Sequence, residues 1–154
     1  MLLKSRIYTD TSVIGGYFDE EFQDFSRKLF EEFITGKKIL VLSDLTLKEL
    51  EFAPTPVQEV IQLVPEVNRE YLLFDDEAQF LAAKYLEEQV VTEKYLLDAQ
   101  HIAIATVARV DVLVSWNFKH IVNLSRIRLY NSINIKYGYP IIEIRSPREV
   151  IDES

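Results

Sequence analysis

The sequence contains no cysteine, which excludes disulfide bonds and metal sites built from thiolates. A chain without cysteine is compatible with the reducing cytoplasm, and we expect it to be located there. No apolar run is long enough to span a bilayer, so no membrane contact is expected. The segment Met1 to Ser5 is too short, and becomes charged too soon, to be a signal peptide.

Positive charge is also scarce, with 17 Lys and Arg against 25 Asp and Glu and a formal net charge of -8. This balance argues against a uniformly basic nucleic-acid-binding protein. The stretch from Thr106 to Arg148 is the exception, because it holds seven basic and two acidic residues and carries +5. The rest of the chain then carries -13. The asymmetry indicates either a basic rim beside an acidic centre or charges scattered over a solvated surface.

The length of 154 residues, with 48% hydrophobic and 27% charged residues, suits one globular domain, and we predict a single domain over residues 1–154. Strand-like and helix-like patterns alternate along it. The predicted strands cover 6–10, 39–43, 71–74, 112–115 and 140–144. The predicted helices cover 18–34, a short segment from Asp44 to Pro54, 57–63, 75 or 76 to 88, 92 to about 109, and 118 to about 137. This alternation predicts an α/β fold with a parallel sheet and helices on both faces.

Several helix ends are marked in the sequence. Asp44, Asp75 or Asp76, and Thr92 are predicted to be N-caps, and Gly36 is predicted to follow the end of the helix over 18–34. That helix is richer in phenylalanine than one core face requires. It either packs into the core in the ordinary way or binds a second subunit or a partner segment.

Three acidic residues lie where the predicted fold would gather them at one edge of the sheet. Asp10 ends the first strand, Glu49 lies in the helix after the second, and Asp98 lies in the helix before the fourth. The carboxyl edge of an open parallel sheet is where such folds bind ligands. Because burying three unpaired carboxylates is costly, a divalent cation is the simplest reason for holding them together.

Two of the three acids also have a purely structural interpretation. Asp10 or Ser12 can cap the helix that follows, and Thr46 and Glu49 have the spacing of a capping box. Asp98 is harder to explain as a cap, because it lies inside an apolar stripe.

Polar residues also follow the fourth strand. Ser115 and Ser12 can bind a ligand or orient a carboxylate. Asn117 can offer its carbonyl oxygen to a cation or its amide to a phosphate, or it can simply form a turn. His101 shares a helix face with Asp98 and is interpreted as a partner of that acid, a phosphate contact or a histidine at the core edge. Trp116 and Phe118, on either side of Asn117, are predicted to pack and not to stack on bases.

Taken in order, these motifs resemble the PIN-domain nucleases, of which the toxin ribonucleases of VapBC-type toxin–antitoxin modules are the best-known members. The motifs are Asp10-Thr11-Ser12, Glu49 in a Leu/Glu-rich helix, Asp98 before Ala-Gln-His-Ile-Ala, and Ser115-x-Asn117-Phe118. The resemblance covers nearly the whole chain. It implies a three-layer α/β/α PIN-like fold with strand order 3-2-1-4-5, and a metal-dependent endoribonuclease that hydrolyses RNA. It also implies a homodimer and a small antitoxin protein as partners.

For the site, the resemblance implies that Mg²⁺ or Mn²⁺ is held by Asp10, Glu49 and Asp98, with Asn117 as a fourth catalytic position and with Ser12 and Ser115 beside it. The family usually has an aspartate where this chain has Asn117. The substitution removes a negative charge, which predicts either one ion in place of two or weaker metal binding.

Two other functions are compatible with the sequence. One is a catalytically weak or inactive PIN fold that acts as an RNA-binding or protein-interaction module, which Asn117 and the acidic composition favour. The other is a receiver-like or phosphatase-like domain with an acidic Mg²⁺ pocket. That function is disfavoured, because no late strand ends in lysine and no Asp-x-Asp follows the first strand.

Overall fold

A computed structural model describes residues 3–152 of the chain. The strands are β1 (Ser5–Thr9), β2 (Lys38–Ser43), β3 (Arg69–Leu72), β4 (Val112–Val114) and β5 (Ile144–Arg145). The helices are α1 (Thr11–Gly16), α2 (Gln23–Ile34), α3 (Asp44–Leu50), α4 (Thr55–Val60), α5 (Asp76–Glu87), α6 (Leu96–Val107), α7 (Leu124–Lys136) and α8 (Pro147–Val150). Short 3-10 turns cover 61–63, 66–68 and 93–95. Within residues 3–152, no helix is long and apolar enough to cross a membrane.

The five strands form one sheet in the order β3-β2-β1-β4-β5, and every neighbouring pair is parallel. The predicted α/β class and strand order are confirmed. β1 is the central strand, with Tyr8 opposite Val41 of β2 on one side and opposite Leu113 of β4 on the other. All five strands therefore end at the same edge of the sheet, and the loops that follow them lie there together.

Two cores form because alternate residues of a strand face opposite sides of the sheet. Tyr8 and Leu113 face a core completed by α5, α6 and α7, with Leu81, Ile102 and Tyr130 among its fully buried members. The other face packs against α1 to α4. Its buried residues include Ile7, Leu40, Leu42 and Val114 from the sheet and Val13, Leu29, Phe30 and Phe33 from the helices.

The helix predicted over 18–34 begins only at Gln23, and a separate short helix, α1, precedes it. α1 ends at a close approach between three elements. A Cβ atom on Gly16 would lie 2.7 Å from Ser26 Oγ and 2.8 Å from Trp116 Nε1. These two atoms are bonded to each other at 2.9 Å, so the absence of a side chain at Gly16 leaves room for the Trp116–Ser26 hydrogen bond.

Of the predicted N-caps, Asp44 is wrong and Asp75 is confirmed, while Thr92 has the N-cap position of the 3-10 turn that leads into α6. Ser43, and not Asp44, caps α3: its Oγ accepts a hydrogen bond from Thr46 N at 3.3 Å. Asp44 Oδ1 accepts instead from Phe74 N, which joins the start of α3 to the chain after β3. Thr92 makes no side-chain cap bond. Asp75, one of the two candidates, does cap α5.

Segment bounds also differ from the predictions. β3 covers Arg69–Leu72 and not 71–74, the helix predicted over 57–63 divides into α4 and a 3-10 turn, and the helix predicted from 118 begins at Leu124. The strand predicted over 140–144 is only Ile144–Arg145. The strand is short because the backbone of Ile142 pairs with the side chain of Asn131 on α7. Ile142 N donates to Asn131 Oδ1 at 2.8 Å, and Asn131 Nδ2 donates to the Ile142 carbonyl at 3.1 Å.

A buried ion cluster joins the start of β2 to α2 and to the chain after α8. Lys38 Nζ donates to Glu32 Oε1 at 2.9 Å and to Asp152 Oδ1 at 2.8 Å. The Lys38 and Glu32 side chains are only 8% and 10% exposed. Burial lowers the pKa of Lys38, but the two carboxylates outweigh it and raise that pKa above its ordinary value. The amine is therefore held in its charged form.

We expect Lys38→Met to destabilise the fold by about 3 kcal/mol, because removing one partner leaves the other charge buried and uncompensated. Chemical denaturation followed by circular dichroism measures the loss. Lys37→Met, at the exposed neighbouring position, is the control and should change the free energy of unfolding by less than about 0.5 kcal/mol. Equal losses in the two variants would contradict the role given to the cluster.

Candidate functional site

Asp10 follows the last residue of β1 and is the N-cap of α1. Its Oδ1 accepts hydrogen bonds from Val13 N at 3.2 Å and from Ser12 Oγ at 2.6 Å. Burial raises the pKa of Asp10, and the hydroxyls of Ser115 and Ser12 and the charge of His101 oppose that rise. The structural interpretation of Asp10 as a cap is therefore correct, and the same side chain also lines a cleft.

Ser12 and Ser115 join the ends of β1 and β4. Ser12 Oγ accepts a hydrogen bond from Trp116 N at 3.0 Å while it donates to Asp10. Ser115 Oγ accepts from Asn117 N at 2.9 Å and lies 3.4 Å from Ser12 Oγ. The two serines thus orient Asp10 and fix the loop after β4.

Glu49 projects from α3 toward α6, where its Oε1 is hydrogen-bonded to His101 Nε2. Glu49 does not form the capping box predicted with Thr46, because Thr46 bonds to Ser43. Burial raises the pKa of Glu49, but the hydrogen bond and charge of His101 more than offset it and bring the pKa below its ordinary value. Glu49 is therefore held as a carboxylate.

Asp98 lies in the first turn of α6, since that helix begins at Leu96. It lies nearer the helix start than predicted, but the N-cap position is Tyr95 and no side chain caps the helix, so the prediction that Asp98 is not a cap is confirmed. The negative charge of an acid in the first turn also interacts favourably with the helix dipole. Burial raises the pKa of Asp98 and the charge of Glu49 raises it further, against the opposing effect of His101 and His120. No hydrogen bond from another residue in 3–152 contributes to this balance, so the carboxylate is available to a ligand.

Asn117 forms a turn after β4. Its Oδ1 accepts hydrogen bonds from Lys119 N at 3.2 Å and His120 N at 3.0 Å. The turn interpretation is therefore correct for the carbonyl oxygen, while the side-chain NH₂ group remains available for a ligand. An aspartate here would keep the turn with one oxygen and offer the second oxygen where Asn117 has a donor.

These residues line one cleft of about 150 Å³ at the carboxyl edge of the sheet. Its lining is Asp10, Thr11, Ser12, Glu49, Asp98, His101, Asn117 and Ile121. The predicted site residues are thus brought together, with Ser115 directly behind them. Within residues 3–152, however, no three acidic or histidine side chains are arranged to hold one metal ion. The acids share the cleft without converging on a single point.

Sequence reasoning did not identify Tyr8 as part of this region. Tyr8 is a fully buried polar residue whose hydroxyl bonds to His101 Nδ1 at 2.6 Å. A tyrosine two residues before Asp10, in the strand that leads into the site, was the available signal. Thr11 Oγ1 is buried beside the cleft without a hydrogen-bond partner within residues 3–152. His101, left open among three interpretations, is buried and bonds to Glu49.

A larger groove of about 590 Å³ lies on the other side of the loop after β4, lined by Glu21, Phe22, Phe25, Trp116, Phe118, Ser146, Arg148 and Glu149. Trp116 stacks on Phe22 with ring centroids 4.4 Å apart, so its predicted packing role is confirmed. Phe118 is 51% exposed and is only partly packed.

No protein-family model and no curated protein matches the sequence. Solved structures do match the fold. VapBC2 from Rickettsia felis, bound to a DNA fragment from its promoter, matches with a TM-score of 0.59 at 14% identity, over 92% of this chain and 98% of that one. The chain has a PIN-domain, VapC-like fold.

Two further structures share the PIN fold. FitAcB from Neisseria gonorrhoeae matches with a TM-score of 0.58 at 14% identity, over 94% of this chain and 99% of that one. VapC20 from Mycobacterium tuberculosis, described as a sarcin–ricin loop cleaving toxin, matches with a TM-score of 0.52 at 14% identity, over 70% of this chain and 86% of that one. The predicted PIN-like architecture is confirmed by these matches.

The raised pKa values in the cleft predict an effect on stability. Because burial raises the pKa of Asp98 above its ordinary 3.8, ionising it costs the folded state free energy at neutral pH. We expect Asp98→Asn to raise the melting temperature of the metal-free protein at pH 7 by ~1–4 °C. The gain should shrink as the pH falls through the raised pKa toward 3.8, where the wild-type carboxyl becomes protonated in both states.

Thermal scans from pH 3.5 to 7 in the presence of a chelator measure this difference. Glu59→Gln, an exposed acid on α4, is the control and should show no such gain. A wild type more stable than Asp98→Asn at pH 7 without divalent cations would contradict the free-energy cost assigned to the ionised Asp98.

Proposed function

We propose that this chain is a metal-dependent endoribonuclease that hydrolyses phosphodiester bonds in RNA. The observation that carries the proposal is the cleft itself. Asp10, Glu49 and Asp98 come from three different elements and line one small cavity at the carboxyl edge of a PIN-type sheet. Ligand sites of open parallel sheets occur at this edge.

The residues present suit a hard divalent cation, Mg²⁺ or Mn²⁺. Carboxylate oxygens are its preferred ligands, and a cation would relieve the burial that raises the pKa of both Asp10 and Asp98. Glu49 has one oxygen bonded to His101 and one left free. Asp10 and Asp98 are therefore the proposed direct ligands, with Glu49 acting from the adjoining wall after small side-chain rotations.

When bound, the cation supplies positive charge for the phosphate and lowers the pKa of a water molecule. The chain's own groups do the rest. The free oxygen of Glu49 accepts the proton of the attacking water as general base. The Asn117 NH₂ group donates to a phosphate oxygen. Lys119, two residues further on in the exposed loop, contacts the RNA backbone together with other basic residues of the segment from Thr106 to Arg148.

A toxin role with a small antitoxin, in a homodimer, completes the proposal. The support is the fold shared with the VapBC2 and FitAcB structures and with VapC20, described as a toxin.

A second candidate is a PIN fold that binds RNA or protein with little or no catalysis. It is favoured by Asn117, whose carbonyl oxygen is already engaged in a turn.

RNA cleavage tests the main proposal. We expect the wild type to cleave RNA, including an oligonucleotide with the sarcin–ricin loop, in the presence of Mn²⁺ or Mg²⁺ and not with a chelator. Asp98→Asn should lower the rate by about 100-fold or more, since loss of a second-shell group alone costs about 10–100-fold. Glu59→Gln serves as the control with an unchanged rate. RNA binding without cleavage under all conditions would favour the second candidate.

Asn117→Asp tests the position where the usual acid is missing. We expect it to tighten Mn²⁺ binding by about tenfold, because added ligand charge raises the affinity of such sites. Isothermal titration calorimetry gives the dissociation constant. Asn123→Asp is the matched control, since Asn123 also accepts a backbone N–H, at the start of α7, and does not line the cleft. An equal effect in both variants would place Asn117 away from the metal.

A further inference from the structure

A chain of hydrogen bonds runs beneath the cleft. Ser43 Oγ lies 2.8 Å from Tyr8 Oη, Tyr8 Oη lies 2.6 Å from His101 Nδ1, and His101 Nε2 is bonded to Glu49 Oε1. Tyr8 and Ser43 are fully buried, and His101 is 4% exposed. Water therefore has little access to the chain, and each bond in it is a specific constraint.

The chain closes on itself through α3. Ser43 caps the first turn of α3, and Glu49 lies near the end of the same helix. Tyr8 is two residues before Asp10 on β1, and His101 is three residues after Asp98 on α6. One closed circuit therefore ties together the three elements that carry the three acids. A displacement of any one element must stretch or break a buried hydrogen bond.

The donors and acceptors can be assigned from the groups themselves. Glu49 is a carboxylate and can only accept, so His101 Nε2 carries the proton and donates to it. On the opposite edge of the ring, Nδ1 and the Tyr8 hydroxyl share a hydrogen bond, and the Tyr8 hydroxyl shares another with Ser43. Burial raises the pKa of Tyr8, which keeps its hydroxyl protonated. The Nε2 proton thus faces Glu49, and the Tyr8 and Ser43 hydroxyls hold the other edge of the ring.

We propose that His101 is a positioning residue for Glu49, held in place by Tyr8 and Ser43. It holds one carboxylate oxygen and leaves only the other for the cleft, which fixes the direction in which Glu49 presents that free oxygen. The inference rests on the proposed metal-dependent function, and it adds that the site depends on three residues that act by holding Glu49 in place.

The test compares a substitution of Tyr8, which bonds to His101 Nδ1, with substitutions of His101 itself. Tyr8→Phe removes the hydroxyl with little change in volume, and His101→Phe removes both ring nitrogens. His101→Gln can place an amide N–H near the position of Nε2, whereas His101→Asn can place one only near Nδ1. Tyr85→Phe is the matched control, because the Tyr85 hydroxyl makes a similar buried hydrogen bond, to Asn134, and neither residue lines the cleft. Mn²⁺ affinity by calorimetry, RNA cleavage and thermal unfolding are measured for each.

We expect Tyr8→Phe to weaken Mn²⁺ binding or cleavage by about tenfold and His101→Phe by about 10–100-fold, as for other second-shell groups. Tyr85→Phe should lose stability and keep the wild-type Mn²⁺ affinity and rate. His101→Gln should recover more of both than His101→Asn does.

Wild-type affinity and rate in folded Tyr8→Phe and His101→Phe would overturn the inference and leave the nuclease proposal intact. Equal recovery by His101→Gln and His101→Asn would also overturn it, because contact with Glu49 would then not matter. If the wild type itself neither binds Mn²⁺ nor cleaves RNA, the proposed function fails and the inference fails with it.

Discussion

The pairing of β1 between β2 and β4 is the constraint on which the other parts of the structure depend. Because side chains alternate along a strand, Ile7 faces the layer of α1 to α4 and Tyr8 faces the layer of α5 to α7. Asp10 then emerges just beyond the sheet edge. A slip of one residue would send the Tyr8 hydroxyl into the wrong core and separate it from His101. One short strand therefore sets both cores and the position of the site.

The charges of the protein are arranged differently at the two edges of the sheet. At the edge where the strands begin, Lys38 and Glu32 neutralise each other in a buried pair. At the edge where they end, buried Asp10 and half-buried Asp98 have raised pKa values, and serine hydroxyls and the histidines only partly compensate for that cost. The ion pair at the edge where the strands begin stabilises the fold. At the edge where they end, the buried negative charge is only partly compensated, so a bound cation would be favourable there.

The α/β class and the edge that gathers Asp10, Glu49 and Asp98 could be predicted from sequence, because strand alternation and polar residues at strand ends are local patterns. The strand order followed only from the resemblance of the motifs to the PIN-domain nucleases. Contacts between distant segments were not predictable in this way. The strand predicted over 140–144 is shorter in the structure, because the backbone of Ile142 is hydrogen-bonded to the side chain of Asn131 and not to a neighbouring strand. The partner of His101 lies 52 residues away in the chain. Such pairings depend on the three-dimensional packing of helices and leave no periodic signal.

Trp116 gives the molecule an optical consequence. It is the only tryptophan in the sequence, and its backbone N–H is bonded to Ser12, which in turn bonds to Asp10. Its indole is held between Phe22 and Ser26, while the next residue in the chain is Asn117. The single tryptophan thus lies one hydrogen-bonded residue away from the acidic cleft. Its emission, excited apart from that of the tyrosines, is therefore placed to report changes in that cleft without interference from any other indole.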